Sequence, residues 1–182
     1  MPTKPEILKR HTVARSRLFR ADELYLRFSN GEERIYEKLC SGGPGAVLIV
    51  PLLDNETVLL VREYAAGIED YHLALPKGAL DKGETPLEAA NRELQEEVGY
   101  GAREMHFLKR VNLSPAYMEH AIDIILARDL YPNKLLGDEP EPIEVEPYPL
   151  RDLQKLIARD DVCEGRTIAA LFMAREWLLT HG

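Results

Sequence analysis

Cysteine is scarce in this sequence: two in 182 residues, Cys40 and Cys163, far apart and outside any C-x-x-C or Cys/His ligand spacing. That excludes a disulfide-built scaffold and a structural zinc site, and it suits the reduced thiols of a cytoplasmic protein. No long apolar run is present. The longest, Ala46–Leu53, falls far short of the about 20 residues that a membrane-spanning helix needs. The segment MPTKPEILKRHTVARSR carries no apolar stretch of the kind found in targeting peptides. Positive charge is outnumbered, with 23 Lys and Arg against 31 Asp and Glu and a net charge of −8. Long-range attraction cannot hold such a chain to nucleic acid or to a membrane surface, so any polyanion it handles needs a cation in between. The five histidines, His11, His72, His106, His120 and His181, have no ligand spacing. Internal repeats and low-complexity tracts are also missing. What remains, 45% hydrophobic and 30% charged residues, excludes a wholly disordered chain and fits one domain with an attached N-terminal subunit.

Residues 24–39 read as a β-hairpin: LYLRF and ERIYEKL alternate in polarity around Asn30-Gly31, a preferred two-residue turn. Ser41-Gly42-Gly43-Pro44-Gly45 then breaks the chain, dividing an N-terminal β segment, 1–44, from a main domain, 45–182. Strands are expected at 46–53 and 57–64, the first apolar throughout as a strand buried on both faces would be. Residues 65–84 read as loop, followed by a helix, strands near 105–113 and 120–128, and a long acidic loop over 130–142. A short strand at 143–148, a helix near 150–158 and an amphipathic helix over 166–180 complete the chain. In the last helix Ile168, Leu171, Phe172, Met173 and Leu178 are available to the core. Strands mixed with separated helices predict an α/β protein, a mixed sheet packed between helices.

The helix after residue 84 has clear ends. Thr85 is its N-cap, Pro86 its first residue, Glu88 closes a T-x-x-E capping box, and Gly99 is the natural stop. On a wheel of about 100° per residue, Leu87, Ala90, Leu94 and Val98 form a core stripe, while Glu93, Glu96 and Glu97 cluster on another side. Three adjacent carboxylates with no interleaved lysine repel one another, and a bound divalent cation turns that repulsion into attraction. Oxygen-only ligands favour Mg²⁺ or Mn²⁺ over zinc. Taken alone, an E-x-x-E-E pattern is more often a solvated acidic face.

The longer segment, GALDKGETPLEAANRELQEEVGY, resembles the signature of the Nudix family, G-x5-E-x7-R-E-U-x-E-E-x-G-U with U aliphatic. The match is at Gly78, Glu84, Arg92, Glu93, Leu94, Glu96, Glu97 and Gly99, and Tyr100 replaces the final aliphatic residue. This resemblance implies a Nudix fold, an α/β/α sandwich, and hydrolysis of a nucleoside diphosphate linked to another moiety. It further implies that Glu93, Glu96 and Glu97 hold Mg²⁺, with Mn²⁺ able to substitute, and that the Gly78 carbonyl is a further ligand. Arg92 would fix the catalytic helix by pairing with a neighbouring carboxylate, and Glu84 would support the site.

Three further segments resemble the ADP-sugar branch of that family: Ser114-Pro115-Ala116, Arg62-Glu63-Tyr64, and the acidic loop Gly137–Pro142. They imply substrate contacts from Arg62, Tyr64, Ser114 and Pro115, and a water-activating carboxylate at Glu139 or Glu141, with Glu93 as the alternative base. Pro76-Lys77-Gly78 is also found in dinucleoside-polyphosphate hydrolases. VARSRLF, FSNG, REYA, DLYP and GDEPEP resemble a group within the family acting on ADP-linked compounds. Its implied substrates are ADP-ribose, diadenosine oligophosphates and reduced NAD, with AMP as a product. The alternatives are a narrower dinucleoside-polyphosphate hydrolase and a nucleotide-sensing module; an intact signature argues against the latter. A lone hairpin is marginal, and the ADP-ribose pyrophosphatases exchange N-terminal sheets, so a homodimer is expected.

Overall fold

The computed structural model describes residues 3–181. The chain divides into two compact units, residues 3–45 with 112–121, and residues 46–111 with 122–181.

The first unit is a three-stranded antiparallel sheet of β1 (Glu6–Arg15), β2 (Arg20–Arg27) and β3 (Glu33–Cys40), in that order. The expected hairpin is β2–β3, and β1 is an additional strand. β1 escapes a polarity reading because its register shifts twice, between Ile7 and Lys9 and between Thr12 and Ala14, which interrupts the two-residue period. The turn is also longer than Asn30-Gly31 alone. Arg27 pairs with Glu33, and the intervening loop closes through the Phe28 N–H on the Glu32 carbonyl (2.9 Å), with Gly31 at φ +85°. Residues 112–121 join this unit through Leu39, whose N–H donates to Tyr117 O and whose carbonyl accepts from Glu119 N–H, both at 2.8 Å.

The second unit holds two sheets. One is antiparallel, β5 (Thr57–Ala65) flanked by β6 (Asp70–Ala74) and β10 (Glu144–Pro149). The other is mixed, in the order β7 (Lys77–Ala79), β4 (Ala46–Pro51), β9 (Ala121–Pro132), β8 (Tyr100–Asn112), with β4 and β9 parallel. The segment 65–84, expected to be loop, therefore contains two short strands. Strand period two explains the layering. Val47, Ile49, Leu59, Val61, Ile125 and Ala127 face one apolar cluster, which includes Ala89, Ala90, Leu94 and Val98 of the signature helix. Leu48, Val50, Val58, Leu60, Ile124 and Leu126 face the other, with Leu153 and Leu156 of helix α2 (Leu153–Leu156) and Ala170, Leu171 and Ala174 of helix α3 (Gly165–His181). Sheets between helices on two faces make the expected α/β/α arrangement. Ile168, Phe172, Met173 and Leu178 are partly buried against that second cluster. Among the described residues, no helix is long and apolar enough to cross a membrane.

The signature helix, α1 (Pro86–Glu93), starts as its sequence dictates. The Glu88 N–H donates to the Thr85 hydroxyl and the Thr85 N–H to the Glu88 carboxylate. Its end differs from an ideal wheel, because Leu94–Val98 forms a π-helical turn closed by the Gly99 N–H on Leu94 O (3.1 Å), with Gly99 at φ +85°. Leu87, in the first turn, stays 42% exposed, and Ala89 is buried in its stead.

Candidate active site

The loop between β7 and α1 delivers Glu84 to Arg92. Asp81 N–H donates to the Glu84 carboxylate (2.8 Å), and Gly83 at φ +97° takes the turn that makes this closure possible. Arg92 then uses all five of its N–H bonds. Nε and one terminal nitrogen hold Glu84 at 2.8 and 2.9 Å, and that terminal nitrogen also reaches Ala79 O at 2.9 Å. The remaining nitrogen donates to Glu93 at 2.7 Å and Glu96 at 3.0 Å. The hydrogen bonds from Arg92 hold Glu84 well below the usual carboxylate range, at about 2. The resemblance implies that Arg92 fixes the helix by pairing with a neighbouring carboxylate; the carboxylates within its reach are Glu84, Glu93 and Glu96.

Glu93 and Glu97 are buried. Burial pushes Glu97 up to about 8, and the repulsion of Glu63 and Glu93 adds to it against the opposing Lys77. Burial likewise raises Glu93, opposed by Arg92 and reinforced by Glu96 and Glu139. Glu97 accepts a hydrogen bond from the Lys77 N–H at 3.3 Å, and the Lys77 ammonium donates to Glu63 at 2.5 Å. The Glu93 carboxylate occupies the space beside Gly78: a Cβ there would sit 1.9 Å from the Glu93 carboxyl carbon, so any side chain at 78 would displace that carboxylate.

These groups face a cavity of about 610 Å³. One side is Gly78, Arg92, Glu93, Glu96 and Glu97; another is Glu63 and Lys77; a third is the loop Leu136–Pro140, with Asp138 and Glu139. The loop is tied at both ends. Asn133 N–H donates to Gly99 O (3.0 Å), Leu135 N–H to Gln95 O (3.1 Å), and the Lys134 ammonium to Glu96 O, so its start is fixed to the π turn. Near its far end the Tyr71 hydroxyl donates to Glu141.

Of the residues singled out from sequence, Gly78, Arg92, Glu93, Glu96, Glu97 and Glu139 line this cavity, whereas Arg62, Tyr64 and Glu141 are not among its lining. Strand alternation accounts for the first two. Glu63 faces the cavity, so Arg62 and Tyr64, one residue to either side, point the other way. Arg62 is held by Asp161 at 2.9 Å and Glu146 at 3.5 Å, and Tyr64 packs edge-on against Tyr71 at 5.6 Å. Ser114 and Pro115 belong to the first unit, where the Ser114 carbonyl accepts the Tyr117 and Met118 N–H groups in a turn. Lys77 and Glu63 were quoted from sequence only as parts of motifs, and the alternation of β5 is the signal that would have singled out Glu63.

Among the described residues no three potential ligands are already gathered at metal-binding distance. Arg92 lies between Glu93 and Glu96, and Glu97 is bonded to the Lys77 amide. The donor set nevertheless suits a hard divalent cation. It is all oxygen, burial raises its two buried carboxylates, and the absence of a side chain at Gly78 lets the Glu93 carboxylate lie against the Gly78 backbone.

The comparisons with known proteins agree with this geometry. A NUDIX domain model matches residues 43–171, and a model of the NudE-type Nudix hydrolase N-terminal domain matches residues 5–38. The ADP compounds hydrolase NudE of Escherichia coli K12 is 48% identical over 98% of this chain and 96% of its own length. An ADP-ribose pyrophosphatase of Bacillus subtilis is 29% identical over 90% of this chain and 91% of its own. A crystal structure of an ADP compounds hydrolase superposes with a TM-score of 0.91 at 46% identity, covering 100% of this chain and 98% of that one. With a buried carboxylate set on a signature helix and matches along nearly its whole length, this chain belongs to the Nudix hydrolase family, in its NudE-type branch.

Proposed function

We propose that the protein hydrolyses the pyrophosphate bond of ADP-linked compounds, with ADP-ribose, diadenosine oligophosphates and reduced NAD as substrates and AMP as a product. The observation that carries this reading is the pair of buried glutamates, Glu93 and Glu97, with Glu96 and Gly78 in one polar cavity. The relative named for hydrolysing ADP compounds supports the substrate class. Glu93, Glu96, Glu97 and the Gly78 carbonyl would hold Mg²⁺, with Mn²⁺ able to substitute. Bound there, the cation neutralises phosphate charge and polarises the anhydride.

The protein's own groups do the rest. Arg92 keeps Glu93 and Glu96 in place, and the loop places Glu139 over the cavity. Glu139 accepts a proton from the attacking water as the water oxygen bonds to phosphorus and the anhydride oxygen departs. Glu141, which accepts the Tyr71 hydroxyl, holds the far end of the loop. The test is a panel of nucleoside diphosphate derivatives with product identification, with and without EDTA. Release of AMP from ADP-linked compounds, abolished by chelation and restored by Mg²⁺, is expected; turnover unchanged in excess EDTA would remove the metal from this reading.

We further propose that residues 1–44 are a dimerising segment and 45–182 the catalytic domain, working in the cytoplasm. Ile7, Val13, Phe19 and Ile35 of the first unit are exposed in the single chain, as a sheet awaiting a partner copy would have them. Light scattering at micromolar concentration should give twice the chain mass.

A further inference from the structure

Among the described residues the cavity is lined by seven carboxylates and two cations, Arg92 and Lys77. An anionic substrate entering it meets strong repulsion, so the cations left over for it decide how tightly it is held. Arg92 has none to give: each of its five N–H bonds already ends on Glu84, Ala79, Glu93 or Glu96. Lys77 is different. Its ammonium carries three N–H bonds, and among the described residues one goes to Glu63 and no other protein acceptor is engaged. The side chain remains 22% exposed, at the cavity wall. Arg62, the cation that the sequence offers most readily for phosphate, is committed to Asp161 and Glu146 and is not among the lining residues.

We infer that Lys77 is the substrate-binding cation of this site, parked on Glu63 and transferred to a phosphate oxygen of the pyrophosphate when substrate enters. The inference rests on the proposed substrate class and adds a residue to it. The exchange trades one charge-assisted hydrogen bond for another, so it is reversible. The backbone N–H of Lys77 meanwhile stays on Glu97, which ties the substrate contact to the carboxylate set without involving the ammonium.

The experiment measures binding of the non-hydrolysable methylene-bridged analogue of ADP-ribose, in Mg²⁺, by calorimetry. Alongside it, Mn²⁺ affinity without the analogue is read by electron paramagnetic resonance. Lys77→Gln should weaken analogue binding about 10- to 100-fold, the scale of a lost charge-assisted contact, while Mn²⁺ affinity stays equal or rises. Lys77→Arg should recover part of the loss. Glu63→Gln, which releases the ammonium, should bind the analogue at least as tightly as the wild type. Analogue affinity within threefold of wild type in Lys77→Gln would overturn the assignment. So would parallel losses of analogue and Mn²⁺, or a Glu63→Gln defect as large as that of Lys77→Gln, since either makes the pair structural. A wild-type protein that hydrolyses no ADP-linked compound and does not bind the analogue would overturn the proposed function, and this inference with it; wild-type binding with an indifferent Lys77→Gln overturns this inference alone.

Discussion

Residues 46–111 with 122–181 bury two apolar layers, one on each side of β4, β5 and β9. In the other unit, residues 3–45 with 112–121, only Asp22 and Cys40 are buried among the described residues, and every residue of β1 is exposed. Where the catalytic unit is held by leucine, isoleucine and valine, the N-terminal sheet is held by a polar clasp. Asp22 accepts from the Cys40 thiol at 3.1 Å and the Thr12 hydroxyl at 2.8 Å, and Arg10 and Arg20 stand nearby. The thiol's hydrogen bond, then that of Thr12, keeps Asp22 below its ordinary range. A clasp of this kind fixes register, yet it supplies little of the apolar burial that stabilises a domain. The difference separates a unit built on two buried apolar layers from a sheet whose Ile7, Val13, Phe19 and Ile35 are exposed.

The largest effect should come from the catalytic unit. Glu97→Gln keeps an oxygen for the Lys77 N–H, so the circular dichroism spectrum should be unchanged while nearly all hydrolysis is lost. Retained turnover would remove Glu97 from the metal site. Next, Glu139→Gln should lower kcat about 10²- to 10⁴-fold with KM little changed, the usual size of a general-base effect. A variant within threefold of wild type would move the base to Glu93. Substitutions in the two units should then diverge in stability. Leu94→Ala, at a fully buried position, should cost about 2–5 kcal/mol in urea titration. Val13→Lys and Ile35→Lys, both exposed in the single chain, should instead convert a dimer into a monomer, with the far-ultraviolet spectrum intact. If the wild type is already monomeric, the cover lies elsewhere.

The smallest effect concerns Asp161, which Arg159 and then Arg62 hold at about 2. Its folded value lies below its ordinary one. The stabilisation is therefore full above about pH 4 and lost as pH falls through about 2. Asp161→Asn should flatten the acid limb of a stability–pH curve within that window, with a small loss of stability at neutral pH and almost none below about pH 2.

Much of this was legible because it is local. The cap at Thr85, the stop at Gly99 and the alternating apolar runs of β4 and β5 are decided within a few residues of chain. β6 and β7 were hidden because strands of five and three residues carry too few positions to show a period, and they form only by pairing with β5 and β4. The ion pairs of Arg62 were hidden for a related reason. Its partner Asp161 lies 99 residues away, and nothing in the neighbourhood of β5 announces it. The signature glutamates were found through spacing, but their hold on Arg92 and on the Lys77 amide depends on a loop and a strand brought in from outside the helix.

The π turn at Leu94–Val98 behaves like one residue inserted into an otherwise regular helix. It breaks the angular bookkeeping between Glu93 and the pair Glu96 and Glu97, so the two halves of the motif are phased separately: one by Ala89 and Ala90 against the sheet, the other by the carbonyls offered to Lys134 and Leu135. Removing a single residue from this turn should leave a regular helix that still packs while its last carboxylates rotate by about 100°, a folded protein whose defect is one of phase.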